Sequence, residues 1–172
     1  MEDLAPVLLV LLLAAGLGTS LVTDLRSRLI LDVVTLPMLG LGLAIRGALV
    51  GWDGPLGLAS GLLGAGVGLG AFLVPAWRGG IGMGDVKLAG AVGAVLGVER
   101  IFAALLWIAV AGGLFAFAVV ALRGRVRSTL RGIARTILLR PPVQATERIY
   151  LPYGVAIVAG TVASVALEVA PW

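Results

Sequence analysis

The sequence predicts an all-α membrane protein: a bundle of about six transmembrane helices, with a cytoplasmic-side amphipathic helix between spans five and six. Three observations carry this. Of 172 residues, 60% are hydrophobic and only 13% charged, with a mean hydropathy of +1.11, too little polar surface for a water-soluble domain. Several continuous apolar runs approach the ~20 residues needed to cross a bilayer, whereas strands of a membrane barrel would show ~10-residue alternating segments. Finally, the basic residues collect in alternate connections, as an oriented bundle requires.

The spans fall at about residues 4–22, 33–50, 55–77, 86–98, 101–122 and 151–170, within one domain covering 1–172. The start, "MEDLAPVLLVLLLAAGLGTS", has an acidic flank and a long apolar run, so it reads as a retained first helix rather than a secretory signal. The third span is dense in glycine, and Gly57–Gly61, Gly64–Gly68 and Gly66–Gly70 fit a small-xxx-small spacing for close helix packing. The weakest boundary is the fourth to the fifth span, where only Glu99 and Arg100 interrupt the apolar run.

Orientation follows from charge. Arg26 and Arg28 lie in the first connection, Arg78 and Lys87 at the third, and seven arginines from Arg123 to Arg148 in the fifth; of the thirteen basic residues only Arg46 and Arg100 lie elsewhere. Glu2, Asp3, Asp53, Glu99 and Glu168 mark the other side. The odd connections are therefore cytoplasmic and both termini periplasmic. In the fifth connection Val126, Leu130, Ile133 and Ile137 recur at helical spacing, with Arg127, Arg131 and Arg135 on another face. This is the pattern of a helix lying on an anionic inner leaflet and stopped by Pro141 and Pro142. The net charge of +4 and pI near 10.7 reflect these arginines and do not call for nucleic acid.

The chain has no cysteine and no histidine. That excludes disulfides, thiolate catalysis, cysteine–zinc sites and HExxH metalloproteases. Chemistry must run on other groups, and three acids lie near the cytoplasmic side of the spans: Asp24, Asp32 and Asp85. From Asp85 to Glu99 is fourteen steps, which a helix covers in ~21 Å against ~30 Å of hydrocarbon. If Glu99 reaches the outer surface, Asp85 sits at membrane depth, where an ionisable group is costly and points to function. The glycines before it, Gly79, Gly80, Gly82 and Gly84, permit irregular backbone and close approach of another segment.

Asp24 ends the first span on the same side. Two carboxylates at one depth cannot easily ionise together; one keeps a proton and the other can activate water, the chemistry of aspartic peptidases. Other readings stand beside it. Asp85 could pair with Lys87 or an arginine, and the acids could serve ion or proton conduction. Asp32 could cap the second helix, starting near Thr35 so as to tolerate Pro37, or support the site. Lys87 could snorkel, tune Asp85, or act as base to Ser20 or Ser27.

At these residues the sequence resembles the bacterial type IV prepilin peptidases, membrane aspartyl peptidases with a GxGD motif. "GIGMGDVKLAGAVGAVLG" matches their second aspartate segment, with Gly82, Gly84, Asp85 and Lys87 in place. "TDLRSRLILDVVTLP" is similar to their first, with Asp24 at the catalytic acid, Asp32 at an Asn/Asp position, Thr35 at a threonine, and Leu31 where proline is usual. "IYLPYGVAIVAGTVAS" resembles their last helix, with Pro152, Tyr153 and Gly154 at its Pro-aromatic-Gly element.

The resemblance implies removal of the basic leader from a prepilin or pseudopilin at the cytoplasmic face of the inner membrane. Asp24 and Asp85 would be catalytic, Gly82, Gly84, Lys87 and Asp32 would bind substrate or shape the site, and no metal or cofactor would be needed. Without a CxxC-bearing loop the chain is similar to the short, peptidase-only form found with Flp/tight-adherence pili; archaeal preflagellin peptidases are near relatives. A transporter or channel using the same acids, or a non-catalytic subunit of a pilus assembly, is the alternative.

Overall fold

The structure, a computed structural model, describes residues 4–27, 29–78, 81–122 and 153–167. Every regular element among them is helical: α1 (Leu4–Ser27), α2 (Asp32–Ile45) running into a π-helical turn (Arg46–Val50), α3 (Leu58–Trp77), α4 (Met83–Leu96), α5 (Val98–Leu122) and α6 (Tyr153–Leu167). The predicted amphipathic helix in the fifth connection lies outside the described residues.

Among the described residues four helices are long and apolar enough to cross a membrane: α1, α2 with its π turn, α3, and α5 over Val98–Val119. Leu11, Leu63, Leu106 and Leu114 are among the large apolar side chains exposed on them, the pattern expected of lipid-facing surfaces. The fourth predicted span is instead a short helix of 14 residues, and 15 residues of the sixth are described, all helical. At 1.5 Å per residue α4 covers only ~21 Å.

The brevity of α4 suits its place. Ten of its fourteen residues are buried, Val86 and all of 88–96, and α1, α2, α3, α5 and α6 all pack on it. A helix apolar on every side belongs in the middle of a bundle. Its widest neighbour is α3, and the seam is made by glycine. A methyl at Gly64 would run into the Gly93 carbonyl, one at Gly93 into the Gly64 carbonyl, and one at Gly68 into the Ala89 carbonyl. Gly66 and Gly70 have nothing within 4 Å, so that predicted small-xxx-small pair is not part of the seam.

The break between α4 and α5 falls at Gly97, not at Glu99–Arg100. Gly97 has φ +81°, a conformation costly for any residue with a Cβ, and Glu99 lies inside the first turn of α5. Arg46, one of the two arginines that break the charge bias, closes this end. It is fully buried and donates to the carbonyls of Val95 (2.7 Å), Pro55 (3.2 Å) and Gly57 (3.4 Å). Its cation thus meets the C-terminal turn of α4, where the helix leaves carbonyls unpaired and the dipole is negative.

Candidate active site

The buried residues of α1 are Ala5, Leu9, Leu13, Gly16, Leu17, Ser20 and Asp24. They recur at three- and four-residue steps, so Asp24 is the last member of the stripe that faces the bundle. Only 6% of it is exposed. Its carboxyl meets the first turn of α6. The Val155 backbone N–H is directed at it, and a methyl at Gly154 would lie 2.5 Å from Oδ2. The first N–H groups of a helix lack intrahelical partners and can be met by a side-chain oxygen placed there. Oδ2 itself is buried without a hydrogen-bond partner.

Asp85 stands in the first turn of α4, half-buried. Its Oδ2 accepts from the Gly82 backbone N–H at 3.3 Å, one half of a capping box. Asp24 near the end of α1 and Asp85 in the first turn of α4 come from two helices that pack on each other, so two acids 61 positions apart in sequence (24 and 85) stand at one end of the bundle.

The motif glycines serve this turn by being small. Gly82 has ordinary extended backbone, φ −74° and ψ 150°, and Gly84 is helical, so neither provides the irregular backbone expected of it. A methyl at Gly82 would press on Asp85 Oδ2 at 3.3 Å, and one at Gly84 would fall 2.9 Å from Ile30 Cβ. The second expected reason, close approach of another segment, is the one that applies. The α1–α2 corner rests on Gly84.

Lys87 pairs with Asp32 and not with Asp85. Its Nζ donates to both oxygens of Asp32, at 2.8 and 2.7 Å. Asp32 is correspondingly not a cap. Leu31 holds the N-cap position without a side-chain bond, and α2 begins at Asp32 rather than near Thr35, with Pro37 inside it. Ser20 does not meet Lys87 either: its hydroxyl is buried without a partner, as is that of Thr35. Among the described residues, no three acids gather as a metal ligand set would.

Apolar helices long enough to cross a membrane, around a short buried helix, define a polytopic membrane protein with an acid from α1 and another from α4 at one end of its bundle. The chain belongs to the type IV leader peptidase family, whose sequence model matches residues 10–117. That stretch runs from α1 through most of α5 and includes both acids; the protein is accordingly a peptidase of the leader-peptidase kind. Neither curated proteins nor solved structures gave a significant match.

Proposed function

We propose that this single transmembrane peptidase domain is an aspartic endopeptidase that removes the leader from Flp-like type IV prepilins. The site would lie at the cytoplasmic face of the bacterial inner membrane, with both termini periplasmic. The observation that carries the catalytic assignment is the placement of Asp24 and Asp85 at one end of the bundle, on two helices that pack on each other, in a chain without cysteine or histidine. Family membership supports the substrate class.

In the mechanism the pair shares one proton. The ionised acid takes a proton from water as its oxygen attacks the scissile carbonyl, and the other acid protonates the carbonyl oxygen. Collapse of the tetrahedral intermediate breaks the C–N bond: the acid that received the water's proton delivers it to the leaving amine, and a hydroxyl of the intermediate returns a proton to the other acid as the new carboxyl group forms, which restores the shared proton. The basic leader remains on the cytoplasmic side, and the apolar segment that follows it lies in the membrane.

The test is to incubate purified protein in liposomes with a prepilin and follow the substrate by mass spectrometry. A mass loss equal to the leader is the expected result. Ion flux without cleavage would favour a channel using the same acids.

A further inference from the structure

We propose that Lys87 and Asp32 are positioning residues of the site: their ion pair locks the α1–α2 corner onto the first turns of α4 and so sets where Asp24 stands relative to Asp85. The inference rests on the peptidase reading above.

The corner is held at two points. Ile30 packs on Gly84, where no side chain fits between them, and Lys87 binds both oxygens of Asp32. Asp32 is the first residue of α2 and forms no cap bond with its own helix, and both of the hydrogen bonds made by Lys87 go to Asp32. The pair therefore spends its two charges on joining one segment to another. The segments it joins are those that carry the acids. Asp24 lies one turn before the end of α1, and Asp85 is two positions before Lys87.

The side chains are 38% and 53% exposed. A pair so exposed adds little to global stability, but a small shift between reacting groups can slow catalysis severely. Position, not stability, is what such a pair can control.

Charge reversal tests this in the full-length protein. Asp32→Lys and Lys87→Asp each place like charges together, and each should lower kcat by about 10- to 100-fold with little change in KM. The double reversal should restore most of the loss. A readout independent of activity uses the absence of native cysteine. Cysteines at Leu29 and Met83, both exposed and each adjacent to one partner of the Ile30–Gly84 contact, report corner docking by cross-linking with a short bis-maleimide. Cross-linking should fall in each single reversal and return in the double. If a reversal variant does not accumulate, Lys87→Met should lose cross-linking and Lys87→Arg keep it.

Unchanged cross-linking in the single variants overturns the proposal. So does a KM defect that the double reversal fails to repair, which would place these charges on the leader instead. Charge-dependent cross-linking in a wild-type protein that cleaves no prepilin would leave the lock standing and overturn the peptidase reading.

Discussion

Gly154 touches the carboxyl of Asp24 across the seam between α6 and α1, so closely that a Cβ on the glycine would lie 2.5 Å from Oδ2. Glycine here does not serve backbone conformation, since among the described residues only Gly51, Gly54 and Gly97 have positive φ. It leaves room for the acid to reach the N-terminal turn of α6. Gly154→Ala should displace the carboxyl while leaving the helix intact, because alanine is the better helix former. Leader cleavage should fall on the order of 10- to 100-fold, with little change in the detergent melting temperature.

The α3–α4 seam makes the opposite prediction, for stability. At Gly93 a methyl meets backbone of α3, which cannot swing aside as a side chain can. Gly93→Ala should cost about 1–3 kcal/mol by overpacking. Gly66 faces open space on the same α3, so Gly66→Ala should be neutral or slightly stabilising. Thermal unfolding of the two variants in one detergent would compare them directly.

Arg46 should matter for folding and not for chemistry. Arg46→Met leaves the carbonyls of Val95, Pro55 and Gly57 without their charged donor, at about 1–3 kcal/mol for each group left unsatisfied. Arg46→Lys should recover only part, since one ammonium cannot reproduce the span of a guanidinium. Val95 is ten residues from Asp85 along α4, ~15 Å of helix. Molecules that remain folded at low temperature should therefore cleave at close to the wild-type rate.

Orientation can be read without activity. Cysteine at Asp53 should react with an impermeant maleimide from the periplasm, and cysteine at Leu29 only from the cytoplasm, because the charge bias places the first connection inside. The reverse labelling would invert the bundle.

Much of this was legible in the chain because hydrophobic continuity and charge are local properties. Four of the spans and the helical bundle follow from runs of leucine and valine, and Asp24 and Asp85 stood out as acids interrupting such runs. What was not legible concerns partners. Lys87 lies two positions from Asp85 and 55 from Asp32, and nearness in sequence suggested the wrong acid; helix faces decided for the distant one. Arg46 read as an exception to the orientation rule, because no pattern along α2 reveals that the end of α4 will cover it. Glycine spacing announced a close helix contact, but Gly64–Gly68 and Gly66–Gly70 share that spacing and only burial tells which meets α4. Gly154 was legible as part of a motif, but not as the neighbour of Asp24.

The two acids should behave as a unit. Asp24→Asn and Asp85→Asn are nearly isosteric, and an amide at Asp85 can still accept the Gly82 N–H through its carbonyl oxygen, so folding and insertion should survive. Neither amide can exchange a proton with water. Each single change should remove general acid–base catalysis, at least ~10²–10⁴-fold in rate. The double change should cost little more than either single one, since groups acting on one proton are strongly non-additive. Asp32→Asn should be mild by comparison, because its amide oxygen still accepts from Lys87 and so keeps the corner joined to α4. The assay is leader removal from a prepilin by each variant in liposomes, normalised to folded protein. Full activity in either Asp24→Asn or Asp85→Asn would refute the dyad. A loss in Asp32→Asn as deep as that in Asp85→Asn, with Asp24→Asn still active, would make Asp32, not Asp24, the acid that works with Asp85.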